Sequence, residues 1–325
     1  MALFLGLTIA ANAAPPSYSV TDLGLVTAVV GISNNDEVLA YDAGGVALYR
    51  KDGKIRQLDL LPKLPTTCSF QPWEIPFQLI AGGINQHGVV VFDVHPFQSQ
   101  SPNCIVTYSD GALQFQTTLG TGGFATGIND AGQIVGQVTD TVGLVGFGPE
   151  CDFNNGGDYI DAVAINDSEQ ILGNDSGGPM LCTNGIWQTI PLPKGPANNM
   201  VATAMNEEGD VVGYGFTQPS RVILYSNSTS RYLETFPGGA NPAPQSINVH
   251  GQIVGTSGDV TASVNFLYDA GKMYALTPLI SATDPYKNVV MELSGSASIN
   301  DAGVIASAGT DQSGALHLYL LTPIR

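Results

Sequence analysis

The sequence predicts an all-β fold, a seven-bladed β-propeller of four-stranded antiparallel blades. Three observations predict it: a motif recurring at blade-length intervals, hairpin signals inside each repeat, and a surplus N-terminal strand that the last repeat lacks. The motif reads GINQHGVVVF from Gly83, GINDAGQIVG from Gly127, AINDSEQILG from Ala164, AMNEEGDVVG from Ala204, SINVHGQIVG from Ser246 and SINDAGVIAS from Ser298. A degenerate copy, GISNNDEVLA, starts at Gly31. Successive copies lie 37 to 52 residues apart, enough for one four-stranded unit with loops of unequal length.

Within a repeat, INxxG joins the first two strands. Asn bonds its own backbone at the start of a type I turn, and Gly takes the left-handed residue that closes it. Asp36 and Glu169 stand where that Gly would be, so strain is expected at Glu169. The third strand ends in Tyr, as in VALY at Tyr49, IVTY at Tyr108, VILY at Tyr225, NFLY at Tyr268 and LHLY at Tyr319. Two-residue turns follow it at Asp52-Gly53, Asp110-Gly111 and Asn184-Gly185, leading to the fourth strands KIRQLDLL, ALQFQTTL and IWQTIPLP. The last repeat stops after three strands. SYSVTDLGL, from Ser17 to Leu25, is therefore expected to complete it and close the ring, removing the free sheet edges.

Residues 1–13 read as a signal peptide: an apolar run from Leu3 to Ala11, then Ala11-Asn12-Ala13, with cleavage after Ala13. Residues 14–325 would be the propeller, secreted to an extracellular or periplasmic compartment and expected to be a monomer. No later segment approaches the ~20 apolar residues of a membrane span. The formal charge of −17 repels polyanions, which argues against nucleic acid as a partner.

The pattern INxxGxIVG, preceded by a segment like YSVTDLG, resembles the bacterial HAF-family extracellular repeat. Ile128, Asn129, Gly132, Ile134, Val135 and Gly136 carry the resemblance best, although the His-Ala-Phe tripeptide is absent. The resemblance implies an exported bacterial protein and no particular activity.

One stretch points elsewhere. GNDSGGPMLC, Gly173 to Cys182, resembles the nucleophile segment of trypsin-like proteases, with Ser176 in the reactive place. That chemistry needs a histidine base and an orienting carboxylate, and the family's AAHC segment is missing. In the repeat register Asp175 to Gly178 is simply the hairpin between the second and third strands of the fourth blade, so a serine protease is not expected.

The candidate sites lie on loops. KLPTTCSFQPWEIP and HPFQSQSPNC place Cys68, Trp73, Phe97 and Cys104 on one side of the second blade, the side shared by the connections between blades and those between second and third strands. Trp73 and Phe97 could stack on a sugar or grip a peptide there, or merely cover the blade. Cys68 is expected to pair with Cys104, leaving Cys151 for Cys182. The insertion DFNNGGDYID offers oxygens at Asp152, Asn154, Asp158 and Asp161 and faintly resembles a calcium loop, with Gly156 at a ligand position and no Glu at the twelfth place. An ordinary Gly/Asn turn fits the same residues, and no other cofactor is indicated. His87, Asp130, Asp301 and His250 read as turn residues on the opposite face.

No nucleophile, metal cluster or phosphate loop stands out above the repeat, and a fold alone confers no chemistry. The sequence therefore favours a binding or interaction module for carbohydrate or protein at or outside the cell surface. The alternatives are a polysaccharide hydrolase or lyase using carboxylates at the central pocket, and a ligand-free scaffold.

Overall fold

In the computed structural model of the chain, the described residues are 14–58, 77–96, 103–118, 123–139, 144–148, 151–155, 158–197, 199–216, 220–234, 240–258 and 263–324. They form a β-propeller arrangement. Six sheets are four-stranded, one is three-stranded, and a two-stranded ladder joins Asn154–Asn155 to Asp158–Tyr159. The helical pieces among the described residues are two short 3-10 turns, Thr277–Leu279 and Pro285–Asn288. No helix among them is long and apolar enough to cross a membrane. The expected signal peptide lies outside the described residues.

The first blade shows the pattern. Ala28–Ile32, Val38–Asp42, Gly45–Tyr49 and Ile55–Gln57 pair in chain order, each antiparallel to the next. Val38, Leu39 and Ala40 are all buried, because both faces of the sheet are covered. Val38 and Ala40 pack against Ala306, Ala308, Leu318 and Leu320 of the last blade, while Leu39 points the other way onto Val90 and Phe92 of the second. Alternation across the pleat thus assigns successive apolar residues to two different neighbours. Each such side chain contributes roughly 1.5–3 kcal/mol on burial.

Each inner strand carries a register shift just before its INxxG turn, at Val29/Gly31, Ala81/Gly83, Ala125/Gly127, Ala162/Ala164, Ala202/Ala204, Pro244/Ser246 and Leu293/Ala297. The bulge brings the inner strand close to the second strand. A Cβ at Gly213 would lie 2.1 Å from the Val201 carbonyl oxygen, and one at Gly255 would lie 2.2 Å from that of Ala243. The last Gly of INxxGxIVG is therefore fixed by contact rather than by its dihedrals.

The N-terminal strand Tyr18–Leu25 pairs with Leu316–Pro323, in register Tyr18↔Pro323, Val20↔Leu321 and Asp22↔Tyr319, and supplies the fourth strand of the last blade. Two polar contacts fasten it. Asp284 Oδ2 accepts from Val20 N at 2.9 Å, and His317 Nδ1 lies 2.9 Å from Asp22 Oδ2.

Seven four-stranded blades are not what the described residues form. The third repeat gives three strands, Phe124–Ile128, Ile134–Thr139 and Leu144–Phe147, and no fourth pairs with them among those residues. The chain beyond is held against the fourth blade instead. Cys151 is bonded to Cys182, Trp187 Nε1 donates to the Asp152 carbonyl at 2.7 Å, and Phe153 meets the Trp187 ring edge-on at 5.2 Å. This covalent and aromatic fastening ties the segment after the third strand to the fourth blade.

Candidate functional site at the channel mouth

The inner strands of all the repeats converge on a central cavity of about 240 Å³ at the INxxG end. Gly31, Gly82, Gly83, Gly127, Ala164 and Ala204 are among the residues of its wall. The bulges explain this: residues crowding an axis where many strands meet must be small.

The repeated Asn has more to do than form a turn. In Asn248, Oδ1 accepts from His250 N at 3.1 Å and Gln252 N at 3.0 Å, as a turn-forming Asn should. Its Nδ2 then donates to the main-chain carbonyl of Asn300 in the next blade at 2.9 Å. The same donation runs from Asn85 to Asn129, Asn129 to Asn166, Asn166 to Asn206, Asn206 to Asn248 and Asn300 to Ser33, at 2.9 to 3.3 Å. These buried amides form a girdle around the mouth, open only where Ser33 replaces Asn and has no amide to give. At the turns without Gly, Asp36 and Glu169 take φ of 59° and 58°, as Gly88 and Gly251 do at 85° and 71°.

The residue after each Asn builds a second tier. Gln86 N donates to Asp130 Oδ1 at 3.0 Å, Asp130 N to Asp167 Oδ1 at 2.7 Å and Asp167 N to Glu207 Oε2 at 2.7 Å. Val249 N donates to Asp301 Oδ1 at 3.1 Å. Four carboxylates thus stand around one opening, and the ion pair found among the described residues there is His87 Nδ1 to Asp130 Oδ2 at 3.0 Å. Burial raises the Glu207 carboxyl above the ordinary range. The Asp167 N–H opposes that shift, and the charges of Asp167, Asp130 and Asp301 add to it. Asp130 and Asp301, expected to be turn residues, are therefore braces between repeats. The sequence shows the Asn and the acid, but not that each reaches the next repeat.

Trp73, Phe97 and Cys68 are outside the described residues. Cys104 is disulfide-bonded, and Cys151 is bonded to Cys182. Of the proposed calcium ligands, the side chains of Asn154 and Asp158 lie outside the described set. Asp152 and Asp161 belong to no group of three or more potential metal ligands among the described residues. Ser176 and Gly177 form the two-residue connection between Ile171–Asp175 and Gly178–Thr183, with Asp175 Oδ1 accepting from Gly177 N at 2.7 Å and Gly178 N at 2.9 Å. The DSGGP stretch is a hairpin.

No protein-family model matches the chain, and no curated protein matches it in sequence. Solved structures do match in fold. A streptogramin B lyase has a TM-score of 0.54 at 13% identity, covering 94% of this chain and 98% of that one. Virginiamycin B lyase from Staphylococcus aureus has 0.56 at 14%, covering 95% and 100%. A protein described as the extracellular domain of a two component system from B. thetaiotaomicron has 0.52 at 12%, with 93% of this chain matching 39% of that one. At such identities the likeness establishes the propeller fold alone.

Proposed function

We propose that the chain is an exported propeller acting as a binding or interaction module for carbohydrate or protein at or outside the cell surface. The observation that carries this reading is how the mouth carboxylates are used: Asp130, Asp167, Glu207 and Asp301 each accept a main-chain N–H from the preceding repeat. Groups that brace the ring are held in place, which suits a rigid platform. Export is supported by the cysteine usage, with Cys151 bonded to Cys182 and Cys104 also bonded, and by the signal-peptide pattern. The three-stranded sheet of the third repeat serves as the seventh blade, and the repeat is of the HAF type.

A second reading, a polysaccharide hydrolase or lyase, is favoured by one observation: Glu207 is a carboxyl raised by burial among other carboxylates, the pattern of a general acid. The two readings separate in a single assay. The mature protein is incubated with a panel of polysaccharides while retained protein and released reducing ends are measured together. Retention without release is expected. Release that disappears in Glu207→Gln would replace the module by the enzyme, and neither retention nor release would leave protein ligands, tested by capture on a cell-surface extract.

A further inference from the structure

The mouth is one face; the strongest unassigned feature lies on the other, at the junction of the fifth and sixth blades. In five of the repeats the N–H just ahead of the inner-strand bulge finds a side-chain partner across a blade junction. Ala81 N donates to Tyr41 Oη at 2.7 Å, Ala125 N to Asp93 Oδ1 at 2.9 Å and Ala202 N to Asn174 Oδ1 at 2.9 Å. Where the preceding blade supplies no such side chain, Ala297 N uses Gln245 Oε1 at 2.8 Å and Val29 N uses Ser296 Oγ at 2.6 Å. Tyr41, Asp93 and Asn174 hold one place in the repeat, three residues after Val38, Val90 and Ile171 respectively.

In the fifth blade that place is Tyr214, three residues after Val211, and in the sixth blade Pro244, four residues before Asn248, holds the place that Ala81, Ala125 and Ala202 hold before Asn85, Asn129 and Asn206. Proline has no N–H to donate. Tyr214 is thereby released from the role its counterparts perform, and its hydroxyl has no hydrogen-bond partner among the described residues. Beside it Phe216 is 54% exposed, its ring edge-on to Tyr214 with centroids 6.0 Å apart, and its N–H is fixed to the Asn199 carbonyl at 3.2 Å. The two rings, with Ser220, Asn241 and Pro242, line a cavity of about 250 Å³. Val211–Gly215 separates it from the turn at the mouth by a strand of five residues, roughly 15 Å at 3.3 Å per residue.

We infer that this cavity is a binding site for one ring of a neutral sugar chain. The inference rests on the binding-module reading and gives it a site and a ligand class. Among the described residues no charged side chain lines the cavity, so these residues match neither an acidic nor a basic ligand. Its volume is below the roughly 300–1,000 Å³ that encloses a drug-sized molecule, and suits a single ring of a longer chain. The exposed Phe216 ring gives the apolar C–H face of a pyranose a surface to lie on. The unspent polar groups both donate and accept: the Tyr214 hydroxyl, the Asn241 amide, and the lone pairs of Ser220 Oγ, whose proton goes to the Gly215 carbonyl at 3.1 Å. Sugar hydroxyls satisfy such a mixture. A proline-rich peptide offers chiefly carbonyl acceptors and would bury the Asn241 and Ser220 acceptors unmatched.

The test titrates the mature protein calorimetrically with the β-1,4-linked hexaoses of glucose, xylose and mannose, with a polygalacturonate hexamer and with a poly-L-proline decamer. At least one neutral hexaose is expected to bind and the two comparison ligands are not. Phe216→Ala is expected to weaken binding about tenfold or more, and Tyr214→Phe by roughly threefold, with unchanged thermal melts. Binding that survives Phe216→Ala but is lost in Glu207→Gln would overturn this site and leave the module reading intact at the mouth. Binding of polyproline or polygalacturonate in place of a neutral hexaose, or no heat from any neutral hexaose, would overturn the sugar site outright.

Discussion

The two faces of the propeller spend their polar groups differently. At the mouth the same Asn recurs around the ring, its amide donating to the next repeat, and four carboxyls accept from the preceding one. On the opposite face the connections differ in length and chemistry, and the Tyr214 hydroxyl has no hydrogen-bond partner among the described residues. Repetition uses up hydrogen-bonding capacity, because a group that braces one junction braces them all. Unspent capacity appears where the repeat is interrupted, at Pro244 on one face and at Ser33 on the other.

If the mouth is a cooperative brace, removing one buried amide should have the largest effect. Asn248→Ala deletes the two turn bonds, the donation to the Asn300 carbonyl and the 2.8 Å bond to Gln252 Oε1, all made by one buried side chain. A loss of about 2–4 kcal/mol in chemical denaturation is expected. Asn248→Asp keeps the turn acceptor and loses the amide donor, with its bonds to the Asn300 carbonyl and to Gln252 Oε1, so it should cost less than Asn248→Ala. Equal losses for the two would mean that the donated amide bonds matter and the turn acceptor does not, whereas no loss in Asn248→Asp would mean that the turn matters and the girdle does not.

Between the faces lies a brace of a different kind. Asp93 is fully buried, and both its carboxyl oxygens lie within 3.0 Å of Ala125 N. Burial pushes its carboxyl up to about 8, with the Ala125 N–H opposing the shift. The folded value thus lies above the roughly 3.9 of an unfolded Asp. The stabilisation linked to its proton is complete below about pH 4 and declines as pH rises to about 8, beyond which both states are ionised. Asp93→Asn does not titrate, so its melting temperature relative to the native protein should climb by roughly 2–5 °C between pH 5 and 8. Parallel curves for the two proteins would show that Asp93 is already ionised at pH 5.

Much of this architecture was legible in the chain because the INxxG copies repeat at blade length and the turn chemistry is local. Asp36 and Glu169 could be assigned positive φ, and DSGGP could be assigned to a hairpin, from their register alone. The closing strand was legible from counting strands at the two ends. What the sequence concealed is whatever acts between repeats: the Asn amide, the acid behind it, and the Arg56 and Arg231 guanidiniums that bond Tyr108 and Tyr268 of the following blades. A partner about forty residues away leaves no local pattern. The third repeat misled for the same reason, since the fourth blade's Cys182 and Trp187 decide where its last segment goes. Tyr214 lies on the face where binding was expected, but a lone Tyr followed thirty residues later by Pro gives no motif to read.

The smallest expected effect is also the sharpest comparison, because it runs opposite to the usual direction of mutation. Ser33 already performs the turn half of the Asn role: its Oγ accepts from Asn35 N and Glu37 N at 3.3 Å, and its carbonyl receives Asn300 Nδ2 at 3.1 Å. It lacks only the amide that would reach the Asn85 carbonyl, an acceptor already in use by Gly88 N at 3.1 Å but with a second lone pair to offer. Ser33→Asn should close the girdle and gain about 0.5–1 kcal/mol, the net value of one hydrogen bond. The position is fully buried, so the extra atoms must enter the space the other repeats leave for them. A stabilised variant would show that the junction of the first and second blades has that space, making the open link a missing donor. A destabilised one would show a junction built to a different width, so that the ring is closed at this point by packing and by the Asn34 N–H to Gln86 carbonyl bond at 3.2 Å instead.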